Sequence, residues 1–111
     1  MDRIDRYRQA VRESLLEYAA IPFSHGEIEC QPIFDTQRDR YQIINIGWDI
    51  NRRVHGCCLH LDIIDGKIWI QHNSTEKAIG EELVERGIPR EDIVLGFQAP
   101  EVRPYTKFGV A

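Results

Sequence analysis

The chain begins with apolar residues at the spacing of an amphipathic helix. One apolar residue occurs every three or four positions, and these residues are Ile4, Tyr7, Val11, Leu15 and Tyr18. Arginine and glutamate side chains fill most positions between them, so one side of such a helix would face water. Pro22 and Gly26 follow, and both residue types end helices. The pattern therefore predicts a helix over residues 2–19.

Between residues 27 and 73 the pattern changes to segments that are typical of β-strands. Four strands are predicted, namely Ile28 to Asp35, Arg40 to Trp48, Val54 to Ile64 and Lys67 to His72. Pro32 places the first strand at a sheet edge or a bulge, because proline cannot donate a hydrogen bond to a neighbouring strand. Asp65 and Gly66 are a strong signal for a two-residue hairpin turn between the last two strands. The register of the first strand stays undetermined.

The two-residue turn predicts which residues of the last two strands are paired. The pairs are Ile63–Ile68, Leu61–Ile70, Leu59–His72, Asp62–Trp69 and His60–Gln71. Because side chains alternate across a sheet, one face would form the core with Cys57, Leu59, Leu61, Ile63, Ile68 and Ile70. The opposite face would carry Cys58, His60, Asp62, Ile64, Lys67, Trp69 and Gln71. With an even-length loop before the third strand, Ile44, Ile46 and Trp48 would join the core face, and Tyr41, Ile43 and Asn45 the opposite face.

The remaining residues predict further helices and an irregular tail. A cap signal at Asn73 predicts a second helix over 74–86. The proline before Arg90 can begin a short third helix that reaches Leu95, and the tail from Ala99 to Ala111 is predicted to be extended or irregular. The fold class is therefore α+β, with an N-terminal helix, a four-stranded antiparallel meander, one or two C-terminal helices and an extended tail.

Length and composition indicate one globular domain, residues 1–111, and exclude disordered and collagen-like chains. The net charge of −4 argues against a protein that binds DNA diffusely through phosphate contacts. The N-terminus lacks the apolar core of a signal peptide, and no apolar run has the length of a membrane helix. The three cysteines are an odd number, which indicates reduced thiols. We therefore expect a cytoplasmic protein without membrane contact.

Cys58, His60 and Asp62 share one face of the third predicted strand. They could bind zinc if a fourth ligand came from elsewhere, or His60 could be a base that Asp62 orients, with Cys58 as nucleophile. Neither CxxC nor HxxxH spacing accompanies them, and side chains of one strand are too nearly parallel for good relayed hydrogen bonds. We interpret them as ordinary strand residues and expect no metal and no cofactor.

The same predicted face mixes aromatic, apolar and polar side chains, which is typical of an interface. Its members are Tyr41, Ile43, Ile64 and Trp69 together with His60, Asp62, Lys67 and Gln71. The alternatives are that the tail or the first helix covers this face, or that it forms a homodimer.

Arginines in two predicted loops form another candidate site. Arg38 and Arg40 lie beside Asp39 at the first loop, and Arg52-Arg53 lie near Asp49 in the second. Ion pairs between the two turns are the simpler interpretation. The more specific interpretation is that these arginines bind an acidic partner surface or a phosphate backbone.

Three blocks of the sequence resemble a known family. The first block is Phe34 to Gln42 with Gly47-Trp48. The second includes Arg52 to Cys57, Leu59 to Ile63 and Asp65 to Gln71. The third comprises Thr75-Glu76, Gly87 to Phe97, Pro100 to Arg103 and Tyr105-Thr106. In this order, and over nearly the whole chain, the blocks resemble the XisI family, the fdxN-element excision controlling factors of cyanobacteria.

This resemblance implies an accessory role without enzymatic activity. Family members assist a site-specific recombinase that excises a DNA element from a nitrogen-fixation gene during heterocyst differentiation, together with a paired XisH protein. We therefore predict protein–protein contact with an XisH-like partner. The alternatives are direct DNA binding, or a small enzyme or metal protein that uses Cys58, His60 and Asp62. The candidate partner-binding residues are Arg38, Asp39, Tyr41, Arg52, Arg53, His60, Asp62, Trp69, Gln71, Arg103 and Tyr105.

Overall fold

The structure, a computed structural model, describes residues 2–22 and 27–111. Its main elements are, in chain order, α1 (Arg3–Ala19), β1 (Glu27–Asp35), β2 (Arg40–Asp49), β3 (Arg52–Ile64), β4 (Lys67–Asn73), α2 (Ile79–Glu85) and β5 (Ile93–Leu95). Short 3-10 helices occur at Arg90–Asp92 and Arg103–Tyr105. The strands form one sheet in the order β1-β2-β3-β4-β5, antiparallel except that β5 runs parallel to β4. The predicted α+β class is confirmed, with a fifth strand added.

The predicted first helix is confirmed, and it buries the apolar side that its spacing indicates. Asp2 caps α1, because its carboxylate accepts a hydrogen bond of 2.8 Å from the Asp5 N–H, an amide that the helix itself leaves unpaired. Tyr7, Val11 and Leu15 are at most 3% exposed and belong to the core between α1 and the sheet. Among the described residues, no helix is long and apolar enough to cross a membrane.

The hairpin between β3 and β4 turns at Asp65 and Gly66, as predicted. Both residues have positive φ angles, 51° and 77°, which a type I′ turn requires. Three predicted pairs next to this turn are confirmed, namely Leu61–Ile70, Asp62–Trp69 and Ile63–Ile68. Two residues of local sequence therefore determine the register at this end of the hairpin.

A β-bulge at Cys58 reverses the predicted faces of β2. Ile43 pairs with Leu59 and the next residue pairs with Cys57, so Cys58 is an extra residue without a partner in β2. An extra residue shifts the alternation of side chains by one position. The prediction that Tyr41 and Ile43 lie on the polar face is therefore wrong, because both are 0% exposed in the core.

The same bulge moves the other β2 residues and both cysteines of β3. Ile44, Ile46 and Trp48 were predicted in the core, but they lie on the face away from α1, where Trp48 is 50% exposed. Cys58 was predicted on the polar face, but it is 4% exposed and belongs to the core cluster. Cys57 was predicted in the core, but it pairs with Ile44, and its side chain lies on the face away from α1.

A second bulge lies at Gln71 in β4. His60 pairs with His72 and Leu59 pairs with Asn73, each one residue later than predicted, so the predicted pairs of His60 with Gln71 and Leu59 with His72 are wrong. Gln71 is left without a β3 partner at this irregularity. The Gln71 side chain forms a hydrogen bond with a neighbouring carboxylate, which is described below.

The C-terminal elements differ from the prediction in two places. α2 begins at Ile79, five residues later than predicted, because the Asn73 side chain donates to the Lys77 carbonyl at 2.8 Å and closes a turn before the helix. The predicted helix from Arg90 to Leu95 is wrong beyond Asp92. The last three residues of that predicted helix, Ile93–Leu95, form β5 instead. Ile93 is 0% exposed, so the pairing of β5 with β4 completes the core.

Candidate functional site

The candidate residues lie mainly on one face of the sheet. α1 and α2 pack on the other face, where Val11, Ile43 and Leu83 share one core cluster. The face that the helices leave uncovered is called the open face below. The strand register defines rows of side chains across it, with Asp35, Arg40, Asp62 and Trp69 at one end and Glu27, Trp48 and Arg53 at the other.

A buried carboxylate organises the first end of the open face. The Asp62 Oδ1 atom lies 2.8 Å from His60 Nε2 and 3.8 Å from Arg40 Nε, and its Oδ2 accepts a hydrogen bond of 3.2 Å from Gln71 Nε2. The Asp62 side chain is 7% exposed and that of His60 is 28% exposed. We call Arg40, His60, Asp62 and Gln71 the Asp62 cluster. Because hydrogen bonds with His60 and Gln71 converge on one buried carboxylate, the bond to Asp62 orients the imidazole.

The C-terminal tail crosses the open face next to the Asp62 cluster. The Arg103 guanidinium lies 5.0 Å from the centre of the Trp69 ring, which is a cation–π contact. Tyr105, in the same 3-10 helix, is 88% exposed. The structure therefore brings six of the predicted candidate residues to one end of the open face, namely His60, Asp62, Trp69, Gln71, Arg103 and Tyr105.

Two further residues contribute to this end: Arg40, which the sequence placed in the candidate arginine site at the first loop, and Gly96, which was not among the predicted site residues. Arg40 approaches Asp62 because β2 and β3 pair these two residues, and the sequence did not determine that register. Gly96 lets the chain pass close to the cluster, since a Cβ atom there would lie 2.5 Å from Gln71 Oε1. In the sequence, the only indication of this close approach is a single glycine between two large apolar residues, Leu95 and Phe97.

The other end of the open face carries apolar side chains. Ile44, Ile46 and Trp48 alternate along β2, and we call them the apolar stripe. The Arg53 guanidinium lies 5.4 Å from the Trp48 ring centre. The hydrophobic pattern alone predicts these residues in the core, so the sequence did not indicate that they form part of the surface.

The predicted arginine sites lie far apart. Arg38 pairs with Asp35 at 2.9 Å, at the β1–β2 turn. Arg52 and Arg53 lie at the other end of β2, a strand of ten residues that spans about 30 Å. The predicted ion pairs between the two turns are therefore excluded by distance. All three arginines are exposed, so their role in partner binding stays a prediction.

Asp39 and Tyr41, two predicted partner contacts, face the helix instead of the open face. The Asp39 carboxylate accepts hydrogen bonds from Arg8 Nε at 2.8 Å and from the Tyr41 hydroxyl at 2.9 Å. Burial opposes ionisation of Asp39, but the bonds from Arg8 and Tyr41 outweigh it and lower the pKa of the carboxyl. Burial and the bond to Asp39 raise the pKa of Tyr41 to about 12. Both residues connect the β1–β2 turn to α1.

The lowered pKa of Asp39 predicts an acid-sensitive contribution to stability. Asp39→Asn is expected to lower the free energy of unfolding at pH 7 by about 1–3 kcal/mol, because the variant loses a charge-assisted hydrogen bond. A depressed folded-state pKa contributes stability above the unfolded pKa, near pH 4 for an aspartate, and this contribution is lost as pH falls through the folded value. Urea unfolding between pH 7 and pH 3 measures the difference. The exposed Asp49→Asn is the control, and a difference that stays constant with pH contradicts the assignment.

The cysteines do not form the predicted alternative site. The bulge turns Cys58 into the core, away from His60 and Asp62, so these three side chains do not share a face. Burial raises the pKa of the Cys58 thiol to about 11, which keeps it protonated near neutral pH. Within residues 2–22 and 27–111, no three His, Cys, Asp or Glu side chains form a group suited to hold a metal ion.

The sequence and fold match known proteins over the whole chain. A XisI-like protein from Anabaena variabilis is 47% identical with a TM-score of 0.89, over 99% of this chain and 100% of that chain. The fdxN element excision controlling factor XisI from the same organism is 39% identical with a TM-score of 0.85, over the same shares. No curated protein has significant similarity to this chain. The family model described as XisI protein matches residues 1–110, and the chain therefore belongs to the XisI family.

Proposed function

We propose that this protein is a non-enzymatic accessory factor that controls excision of a DNA element by a site-specific recombinase. We further propose that it acts by binding an XisH-like protein. The observation that carries the proposal is the similarity, over 99% of the chain, to a protein described as an fdxN element excision controlling factor. The resemblance of the sequence to the XisI family implies the partner.

The chemistry of the Asp62 cluster supports binding rather than catalysis. A catalytic interpretation needs a nucleophile within hydrogen-bond reach of His60. The thiol considered for this role, Cys58, lies on the opposite side of β3 and stays protonated near neutral pH. The contacts of the buried Asp62 carboxylate instead orient side chains that remain accessible at the surface, as a preformed binding site requires.

The residue types around the Asp62 cluster are those that contribute most binding energy in protein interfaces. Trp, Tyr and Arg are enriched among such residues, and Trp69, Arg103 and Tyr105 occur here. Arg103 is already held against the Trp69 ring, and its Nε donates to the Gln98 carbonyl at 3.2 Å. Less side-chain entropy is therefore lost when a partner binds. We assign the contact with the XisH-like protein to this end of the open face.

The test is binding between the purified protein and a purified XisH-like protein, measured by isothermal titration calorimetry and size-exclusion chromatography. We expect a complex at micromolar concentrations. Tyr105→Ala and Arg103→Ala are each expected to weaken it by about tenfold or more, the effect of removing a central interface residue. Ile50→Ala is the matched control, since Ile50 is 87% exposed, close to the 88% of Tyr105, but lies in the β2–β3 turn at the far end of the sheet.

Three outcomes would overturn the proposal. The first is that no complex forms at micromolar concentrations. The second is that Ile50→Ala weakens binding as much as Tyr105→Ala. The third is that the protein alone binds duplex DNA with an affinity that falls as salt rises, which would indicate direct phosphate contacts instead. An excision assay with recombinase then asks whether the complex-deficient variants lose control of excision.

A further inference from the structure

The far end of the open face combines an apolar stripe with opposite charges on its two sides. The stripe, Ile44, Ile46 and Trp48, follows β2. Glutamates flank it on β1, and basic side chains flank it on β3. The register gives two rows across the sheet, which are Glu27–Trp48–Arg53 and Glu29–Ile46–His55. Each row therefore runs from an acidic residue through an apolar residue to a basic one.

We propose that a second copy of this chain docks on this surface, face to face, about a two-fold axis parallel to β2. Such a rotation places β2 of the partner over β2, and β1 of the partner over β3. The axis runs along the strands, so each of these two rows meets the same row of the other copy. Glu27 of one copy then faces Arg53 of the other, Glu29 faces His55, and the two apolar stripes cover each other. At the Asp62 end the same rotation would set Arg40 against Arg40 and Asp35 against Asp62, so the proposed contact is confined to the far end, and the two twisted sheets diverge toward the Asp62 end.

Self-complementarity is the reason that the occupant is a second copy. An isologous interface requires that one surface be its own partner, with each contact made twice. The order acidic, apolar, basic meets this requirement under the stated rotation, whereas an unrelated partner would need to present the reverse order independently. The acidic β1 side also opposes binding of a phosphate backbone.

Exposure and spacing agree with this arrangement. Trp48 is 50% exposed, although burying a tryptophan is strongly favourable. Within the part of the chain that the structure describes, neither Glu27 nor Arg53 forms a salt bridge. A shallow groove of about 490 Å³ between Glu27, Glu29, Ile46 and Arg53 offers space for side chains of the second copy. Aligned sheets pack about 10 Å apart, which opposed glutamate and arginine side chains can span.

A charge-reversal cycle tests the geometry directly. Sedimentation velocity over a concentration series is expected to show a dimer with a Kd below about 100 µM. Glu27→Arg and Arg53→Glu each place like charges opposite one another and are each expected to raise Kd about tenfold. The double variant restores opposite charges across the interface, and we expect its Kd to return close to that of the original protein. A double variant that is worse than both single variants overturns the proposed axis.

An apolar variant gives an independent readout. Ile46→Lys is expected to raise the dimer Kd by about tenfold or more, because it places two like charges at the centre of the interface. Leu16→Lys is the matched control, since Leu16 is 45% exposed on α1, on the other side of the sheet. Circular dichroism verifies that each variant is folded. A monomer throughout the concentration series, or a dimer that only Leu16→Lys disrupts, overturns the proposal.

The dimer is separable from the proposed function. Tyr105→Ala leaves the stripe intact and is expected to dimerise normally while it binds the XisH-like protein weakly. Ile46→Lys is expected to behave in the opposite way. If the XisH-like protein instead dissolves the dimer and fails to bind Ile46→Lys, it occupies the stripe itself, and the assignment of this surface to a second copy is overturned.

Discussion

Gly47→Ala is expected to destabilise the protein by about 2–4 kcal/mol, because no space exists for a methyl group at this position. A Cβ atom on Gly47 would lie 2.0 Å from the Glu27 carbonyl oxygen and 2.8 Å from the Ile28 Cα atom. Both atoms belong to the backbone of β1, so a side-chain rotation cannot relieve the overlap. The φ angle of Gly47 is +151°, which alanine adopts only with strain. The expected response is local separation of β1 from β2.

Gly56→Ala is the matched control for this prediction. Gly56 lies in β3, two strands away from β1, and a Cβ atom there meets nothing within 4 Å. Alanine in place of an unconstrained glycine restricts the unfolded chain, so this change is expected to be neutral or slightly stabilising. Urea unfolding followed by circular dichroism compares the two variants. Equal loss of stability in both would show that the close approach of β1 to Gly47 is not the cause.

Elements with a local signal were predictable from the sequence. The first helix has a cap at Asp2 and an apolar side at helical spacing, and it forms as predicted. The β3–β4 turn depends on Asp65 and Gly66 alone, because these residue types tolerate positive φ. In both cases the determining residues are neighbours in the chain, so no knowledge of the tertiary structure was needed.

The faces of β2 were not predictable, because they depend on where an extra residue is placed. An even-length loop before β3 is correct, since Asp49 pairs with Arg52 across two turn residues. Cys58 nevertheless shifts the register between Ile43 and Ile44 and exchanges the two faces. Two adjacent cysteines are each compatible with either face, so their local sequence does not distinguish a bulge from a regular strand. Packing against α1 decides which arrangement is stable.

The candidate site likewise has a part that was predictable from the sequence and a part that was not. His60 and Asp62 were predicted on one face by alternation along a single strand, and they lie within hydrogen-bond distance. Arg103 could not be placed, because its contact with Trp69 joins residues that are far apart in the chain and follows no periodic pattern. The resemblance to the XisI family supplied Arg103 and Tyr105 as candidates where residue spacing supplied nothing.

The open face therefore offers two surfaces with different physical properties. At the Asp62 end, a buried carboxylate and the tail hold polar and aromatic side chains in place, which suits a specific partner. At the other end, the apolar stripe is flanked by opposite charges, which suits its own copy. Because β2 and β3 separate these ends by many residues, variants at one end are expected to leave the other unchanged. If both proposals hold, a dimer that presents two partner sites is expected to bind two XisH-like molecules.

The second large effect concerns Ile43 and Ile44, adjacent residues of β2 that the Cys58 bulge places on opposite faces. Ile43→Ala is expected to cost about 2–5 kcal/mol, because Ile43 is 0% exposed and the variant leaves a cavity between α1 and the sheet. Ile44→Ala is expected to cost less than about 1 kcal/mol, because Ile44 lies on the open face and is only half-buried. The unmodified alternation of the sequence predicts the reverse order.

Urea unfolding of both variants at low micromolar concentration, where dimer formation contributes little, measures this difference. Cys58→Ser adds a second readout, since it replaces a core thiol that is 4% exposed with a smaller and more polar hydroxyl, and it is expected to destabilise the protein more than Cys57→Ser on the open face. If Ile44→Ala and Cys57→Ser are the more damaging changes, β3 has no bulge at Cys58. The apolar stripe would then belong to the core, and the surface proposed for the second copy would not exist.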